Sequence, residues 1–409
     1  MKYIASLLLL AAPLTASATF MSRFDCGCDS LCKEPADSAA FIFTDVKLIP
    51  TTPVKDQNKS GTCWSFAGTS LMEDEVLRNG GPELDLSEMF CVRNVYLEKA
   101  RKYVRMDGKI NFAQGGAQAD VLDIAERYGV VPEEAYPGLN YGEDKHSHYE
   151  MFDVMKGYLD GVLKNSNKKL STAWEPGFEA ILDAYFGKVP ETFVYEGKTY
   201  TPREFAAKLG LDRADKFANI TSFTHHPFYE WFAIEIPDNW MWAKSANVPL
   251  EDLKEIIDSA LENGYSVAWG ADVSEGGFKW YEGFAVLPEE VSTQDMTNSE
   301  LSRWTKMSDK DRAAKRFEIK GPCKEVTVTQ ESRQKGFDNL STTDDHGMVI
   351  VGLATDQEGN RFYKVKNSWD TNQVYDGFFY VSEPYLLDKT ISVLVNRQAV
   401  PKKIAKKIF

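Results

Sequence analysis

Cys63 lies where a polar loop turns into a helix, with the amide side chain of Gln57 six residues before it. Apolar residues recur at helical spacing after Cys63 and stop at Gly80, which predicts a helix with the thiol in its first turn. A thiol there faces free backbone N–H groups and the positive end of the helix dipole, and both favour the nucleophilic thiolate. Gln57 could hold an oxyanion together with the backbone N–H of Cys63. For this segment alone, a buried structural cysteine is the alternative, because free cysteines are among the most buried side chains.

A cysteine nucleophile needs a base, and His346 is placed to act as one. It follows the acidic pair Asp344–Asp345 and begins an apolar run, HGMVIVG, that predicts a buried strand. A second predicted strand leads to Asn367, whose amide can accept a hydrogen bond from one ring nitrogen of His346 and leave the other to face the thiol. Trp369 could shield that hydrogen bond from water. The order cysteine, histidine, asparagine is that of a catalytic triad.

The acidic pair before His346 has two interpretations. Beside the base, Asp344 and Asp345 would raise the pKa of the imidazolium and would favour substrates with a free amine or a basic side chain near the cleavage point. The alternative is a solvated turn with no part in catalysis.

Four sequence blocks resemble the papain-like cysteine peptidases. PVKDQ…GTCWSFA, DHGMVIVG and KNSW stand in the order of that family, and the block from Gly115–Gly116 to YGVVPEEAYP is similar to its glycine pair and the following helix. The resemblance implies an α+β, papain-like two-lobed fold. It would have a helical lobe, a β-barrel-like lobe and, in this chain, a large helical insertion.

The resemblance also implies a role for each site residue. The catalytic residues would be Cys63 as nucleophile, His346 as general base and acid, Asn367 as the orienting residue and Gln57 as the oxyanion donor. The substrate site would include Gly115, Gly116, Asp345 and Trp369, with Gly116 offering its backbone to an extended peptide.

Two departures from the usual pattern resemble the bleomycin hydrolase and aminopeptidase C branch. Ser60 stands where secreted papain-like enzymes usually carry a disulfide-bonded cysteine, and a long insertion follows Pro137. The branch implies a homohexamer, in which a C-terminal arm in the cleft limits cleavage to the amino-terminal end of peptides. This chain stops at Phe409, soon after Pro401, with a tail shorter than that arm. Aminopeptidase restriction is therefore a hypothesis.

The predicted function is a cysteine peptidase that hydrolyses peptide bonds through a thioester, with aminopeptidase activity of the bleomycin hydrolase type. Three alternatives stay open: a papain-like endopeptidase with an open cleft, a transglutaminase-type acyltransferase, and a non-catalytic binding protein. Peptides are the expected partners, and no cofactor is expected. The net charge of −14 argues against a nucleic-acid surface.

The chain divides into five predicted parts. They are a signal peptide (1–18), a lead segment with three cysteines (19–44), a helical lobe with the nucleophile (45–137), an insertion and a returning helix (138–264), and a β-rich lobe with the histidine, the asparagine and a short tail (265–409). Within the insertion, the patterns predict helices over 149–163, 178–186 and 202–209 and a hairpin over 194–200. The returning helix is predicted over 250–262.

The first residues indicate export. Lys2 precedes an apolar run over 4–14, and small residues follow at 16–18, a pattern typical of a signal peptide. The run is too short to span a bilayer, which takes about 20 residues, and no other stretch is long enough. We therefore expect the protein to be periplasmic or extracellular.

Two groups of residues raise the question of a metal. Cys26, Cys28 and Cys32 predict one disulfide with a thiol left over, because no histidine or fourth cysteine lies nearby to complete four metal ligands. His225–His226 has no carboxylate or cysteine at ligand spacing, which favours hydrogen-bonding roles. No metal site is expected.

Overall fold

The strand that begins at His346 lies inside an eleven-stranded sheet. The computed structural model describes residues 40–167, 169–294 and 296–409, and residues 41–409 form one unit. The strands in chain order are β1 Thr44–Leu48, β2 Phe193–Tyr195, β3 Lys198–Tyr200, β4 Phe217–Thr221, β5 Trp231–Ala233, β6 Lys244–Asn247, β7 Val267–Ala271, β8 Phe278–Lys279, β9 Phe284–Ala285, β10 His346–Thr355, β11 Arg361–Lys366, β12 Phe378–Ser382 and β13 Thr390–Asn396.

The order of the strands brings the predicted triad members His346 and Asn367 to the same end of two neighbouring strands. It runs β5-β6-β4-β13-β7-β10-β11-β12-β9-β8, and β1 also pairs with β10. β10 is antiparallel to both β7 and β11, with His346 opposite Ala271 and Val349 opposite Lys366. The start of β10 and the end of β11 are therefore neighbours, and His346 lies near Asn367.

The helices cover both faces of the sheet. They are α1 Cys63–Arg78, α2 Glu88–Arg105, α3 Gln118–Arg127, α4 Tyr149–Leu163, α5 Trp174–Phe186, α6 Pro202–Leu209, α7 Leu250–Glu262, α8 Asn298–Lys306, α9 Asp309–Arg316, α10 Gln330–Asp338, α11 Glu383–Lys389 and α12 Lys402–Ile408. On one face Ala67 of α1 packs with Val349 and Val351 of β10. On the other face α7 packs against β7 and β10. Because both faces are covered, the first nine residues of β10 are all buried.

The two largest apolar cores lie in different parts of the fold. One core joins α1 to α6, with Trp64, Phe90 and Phe178 among its buried side chains. The other joins α7 and α12 to the sheet, with Trp269 at its centre. The fold is thus α+β, with α1 between a helical layer and a sheet.

The insertion is only partly helical. α4, α6 and α7 have the bounds predicted from the sequence, and the hairpin forms as β2 and β3. Residues 217–247 differ from the predicted helical insertion, because β4, β5 and β6 extend the main sheet through β13. Pairing with a strand from the far end of the chain decides the conformation of such short segments, since strand preference depends on neighbours.

Some predictions lie outside the described residues. These are the signal peptide over 1–18 and the cysteines Cys26, Cys28 and Cys32. In the described part of the chain, Cys63, Cys91 and Cys323 are free thiols. Over those same residues, we find no helix with the length and apolar character needed to cross a membrane.

Candidate active site

Cys63 is the first residue of α1, and the loops around it hold this end of the helix in place. The Gly61 N–H donates to Gln114 Oε1 at 2.8 Å, and the Trp64 indole donates to the Gln114 carbonyl at 3.1 Å. The Ser60 hydroxyl donates to the Gln57 carbonyl at 2.7 Å. These hydrogen bonds brace the loop that leads into the helix. The Thr62 side chain does not cap α1, and the N–H groups of Ser65 and Phe66 donate to the Thr62 carbonyl at 2.8 and 3.3 Å.

The thiol lies at the start of β10. The backbone N–H groups of Gly347 and Trp64 lie close enough to the Cys63 sulfur to lower the pKa of its thiol. A Cβ on Gly347 would come within 3.3 Å of the Trp64 Cα, so this position needs glycine for the helix and strand to approach each other. Cys63 and His346 therefore meet through Gly347, the residue that follows the histidine.

Asn367 orients the His346 ring as predicted. His346 Nε2 and Asn367 Oδ1 are 2.7 Å apart, and an amide oxygen can only accept, so Nε2 carries the proton. Nδ1 is then the ring nitrogen left for the thiol. Trp369 stacks on the His346 ring with centroids 4.4 Å apart and planes at 29°, which shields the hydrogen bond from water.

Burial acts against charge on both members of the pair. It raises the pKa of the Cys63 thiol to about 12, against the nearby N–H groups of Gly347 and Trp64 that lower it. Burial also lowers the pKa of His346 to about 4, although Asn367 and Asp345 act in the opposite direction. An isolated charge on either group is therefore opposed by desolvation, whereas a thiolate and an imidazolium formed together stabilise each other. The sequence shows the helix start, which favours the thiolate, but not the desolvation, which opposes it.

Gln57 is buried beside this pair, in a network with both flanking loops. Its Nε2 donates to the Ser60 carbonyl at 2.7 Å, and its Oε1 accepts from the Ser368 hydroxyl at 2.7 Å. The amide keeps one further hydrogen that these contacts do not use. The oxyanion role of Gln57 remains a prediction.

The glycine pair lines the other side of the cleft. A Cβ on Gly116 would lie 3.0 Å from Trp64 Cε2, and a Cβ on Gly115 would lie 1.8 Å from Asp238 Oδ2. Lys99 is buried below the loop and donates to the carbonyls of Ala113, at 2.9 Å, and Gly115. Burial lowers the pKa of Lys99 to about 8. Both glycines are therefore required by close packing as well as by their predicted contact with substrate.

Asp345 and Asp344 occupy the turn before β10. Asp345 is exposed and accepts from the Thr343 hydroxyl at 2.8 Å. Asp344 is partly buried, and its charge raises the pKa of Cys63, as does that of Asp238. Sequence reasoning missed Asp238 and Lys99, because neither belongs to a motif and only the folded chain brings them to the cleft.

Comparison with known proteins agrees with this geometry. A sequence model of the papain family of cysteine proteases matches residues 43–175, and one of the peptidase C1-like family matches residues 323–408. Aminopeptidase C of Lactobacillus delbrueckii subsp. lactis is 25% identical over 401 residues, covering 88% of this chain and 82% of that protein. Bleomycin hydrolase of Gallus gallus is 23% identical over 86% of this chain and 82% of its own length.

A solved structure has the same fold. The crystal structure of PepW from Lactobacillus rhamnosis HN001 superposes with a TM-score of 0.67 at 18% identity, covering 89% of this chain and 84% of that one. The two family matches and these relatives identify the chain as a papain-like cysteine peptidase. Within that family it belongs to the branch of aminopeptidase C and bleomycin hydrolase.

Proposed function

We propose that this protein is a cysteine aminopeptidase that releases residues from the amino terminus of peptides. The observation that carries the proposal is the arrangement at the edge of the sheet. Asn367 holds His346 Nε2 at 2.7 Å, and the Cys63 sulfur contacts the backbone of the residue next to His346.

The positions of the Cys63 sulfur and the His346 ring determine the order of the chemical steps. As the Cys63 sulfur attacks the peptide carbonyl, His346 Nδ1 takes the thiol proton, and the imidazolium is held through Nε2 by Asn367. The Cys63 N–H and the free amide hydrogen of Gln57 are the candidate donors to the developing oxyanion. His346 then gives the proton to the leaving amine, and water hydrolyses the thioester.

Activity at the amino terminus is supported by the curated relatives that share most of the chain's length. The described C-terminal residues do not supply an arm in the cleft, because Ile404 and Ile408 of α12 are buried in the core with α7. Lys403 pairs with Glu255 of α7 at 2.7 Å, and the Trp231 indole donates to the Ile408 carbonyl at 2.8 Å.

The test compares a dipeptide reporter with a free amine and its N-acetylated twin. An aminopeptidase cleaves the free-amine reporter and leaves the acetylated one nearly untouched. Equal cleavage of both would identify an endopeptidase with an open cleft. Cys63→Ala should abolish turnover of either reporter, since alanine keeps the start of α1 but has no nucleophile.

Export and assembly complete the proposal. The apolar run over 4–14 and the small residues over 16–18 support removal of a signal peptide, which amino-terminal sequencing of the mature protein tests. A secreted protein whose amino-terminal residue is still Met1 would contradict removal of the signal peptide. The family branch suggests a homohexamer, and a solution mass measurement would distinguish it from a monomer of 46.1 kDa.

A further inference from the structure

Two carboxylates outside the triad lie at the cleft. Asp238 comes from the insertion, and its Oδ2 lies where a Cβ on Gly115 would be. Asn111 donates to the other oxygen, Oδ1, at 3.3 Å. Asp344 lies on the turn before β10, two residues before His346. Among the described residues, no hydrogen bond or ion pair involves the side chain of Asp344.

The position of Asp238 closes the cleft to longer chains. The Gly115–Gly116 segment would pair with the substrate residues that precede the scissile bond, as an added strand. Because the carboxylate of Asp238 lies directly against Gly115, it occupies space that such residues would need. A substrate that ends there with its amino group avoids the overlap and brings a positive charge to the carboxylate.

We propose that Asp238 and Asp344 together bind the α-ammonium group of the substrate and so restrict cleavage to the amino terminus. This inference rests on the proposed aminopeptidase function. Asp238 lies on the loop between β5 and β6 and Asp344 on the turn before β10, so an ammonium between them would connect two separate loops.

The charge distribution supports this assignment. Burial raises the pKa of Asp344 to about 7, and the negative charge of Asp238 adds to the shift. Burial raises the pKa of Asp238 as well, although Lys99 and Asn111 lower it. Lys99 directs its hydrogen bonds to the carbonyls of Ala113 and Gly115. The pair of acids therefore gains from a further cation, which the substrate supplies.

The test uses Asp238→Asn and Asp344→Asn, which keep the shape of each side chain. With the free-amine reporter we expect KM to rise so that kcat/KM falls about 10- to 100-fold. This factor corresponds to the loss of one hydrogen bond to a charged group. The ratio of kcat/KM for the free-amine reporter to kcat/KM for the N-acetylated reporter should shrink by the same factor, while kcat for the free-amine reporter changes little. Asp107→Asn is the matched control, because this acid is exposed and lies outside the cleft.

The outcomes separate the two proposals. If the unmodified protein prefers the free amine and the variants keep that preference, the ammonium site is wrong and the aminopeptidase function stands. If the unmodified protein cleaves both reporters equally, the proposed function fails and the ammonium site fails with it. Loss of preference in the variants alone supports the site.

A different observation carries a second inference, about His225, His226 and Glu235. The Nε2 atoms of both histidines lie 3.0 Å from the two carboxylate oxygens of Glu235, and one ligand atom from each residue lies within 4.8 Å of the others. No carboxylate stands at ligand spacing in the sequence, but the segment after β5 brings Glu235 to the histidines.

The rings of both histidines are held by neighbouring side chains. His226 stacks on Phe232 with centroids 4.1 Å apart, and His225 stacks on Phe337 at 5.6 Å. The Gln334 amide lies against His225 Nδ1, with Oε1 at 3.5 Å and Nε2 at 3.1 Å, so Nε2 of His225 is the nitrogen directed at Glu235. When His225 binds a metal through Nε2, Nδ1 carries the proton and donates to Gln334 Oε1, the acceptor behind the ring that is typical of a metal-binding histidine.

We infer that these three residues bind one zinc ion. Zinc accepts two imidazoles and a carboxylate at bond lengths of about 2.0 to 2.2 Å, with water as the fourth ligand. The three groups already converge, so small side-chain movements would complete the site.

Calorimetric titration with zinc chloride tests this inference. The full chain is used with Cys63→Ser, so that the active-site thiol does not compete, and it is compared with the same protein carrying Glu235→Gln or His225→Ala. We expect each variant to bind one equivalent of zinc less than the protein with Cys63→Ser alone. Magnesium prefers oxygen ligands, so titration with magnesium should show no such difference. Identical zinc titrations with and without Glu235 and His225 would overturn the site.

Discussion

Removing the Asn367 side chain deletes the hydrogen bond that fixes the catalytic ring. Asn367 Oδ1 accepts from His346 Nε2 at 2.7 Å, and during catalysis this donor is an imidazolium. A hydrogen bond to a charged group contributes about 1.5 to 3 kcal/mol. Asn367→Ala should therefore lower kcat/KM about 10- to 150-fold. The stack of Trp369 on the ring remains, so some activity should persist.

The assay is steady-state hydrolysis of the free-amine reporter over a range of pH, with thermal unfolding as a check on folding. Asn372→Ala is the control, because this amide is exposed and bonds to Asp370 at 2.8 Å, on the loop that follows the triad residue. Asn367→Asp should move the acid limb of the profile to higher pH, since a carboxylate stabilises the imidazolium. A loss below about threefold in Asn367→Ala, with the fold intact, would refute the orienting role.

Three further predictions concern the surroundings of the site. His148 is fully buried without a hydrogen-bond partner for either ring nitrogen, and burial lowers its pKa to about 3 from 6.5, so the free energy of unfolding should fall as the pH drops below about 6.5. Denaturant unfolding of His148→Leu at pH 3 should show about 3 to 5 kcal/mol of that free energy recovered, and an unchanged dependence on pH in the acid range would contradict this. Lys99→Met should leave the carbonyls of Ala113 and Gly115 without their donor, and KM should therefore rise at least threefold with less effect on kcat. An unchanged KM would show that the glycine loop keeps its conformation without Lys99. A Cβ on Gly68 would meet Val121 Cγ2 at 2.5 Å, so Gly68→Val should push α1 away from α3 and lower the free energy of unfolding by about 1 to 3 kcal/mol. An unchanged midpoint in thermal unfolding would be inconsistent with this packing.

The sequence was most informative where local patterns decide the structure. α4, α6 and α7 have their predicted bounds, because each combines apolar periodicity with clear end signals; Thr201, for example, caps α6 by accepting from the Glu204 N–H at 3.2 Å. The triad candidates were found in the same way, since Cys63, His346 and Asn367 each stand in a short motif at the end of a helix or a strand.

Features that depend on distant parts of the chain were missed. β4 is a strand because β13, at the far end of the chain, pairs with it. Asp238 reaches Gly115 only after the insertion has folded across the cleft. The desolvation of Cys63, which opposes the thiolate, was also missed, because it depends on the whole packed site and no local pattern records it.

The most direct test of the account is to label the nucleophile. An epoxide inhibitor that alkylates thiols is added to the protein, and the modified residue is identified by peptide mass spectrometry while hydrolysis of the free-amine reporter is followed in parallel. The account predicts that activity falls in proportion to alkylation of Cys63, with Cys91 untouched because it is buried on α2. Full alkylation of Cys63 with hydrolysis continuing at the original rate would contradict it.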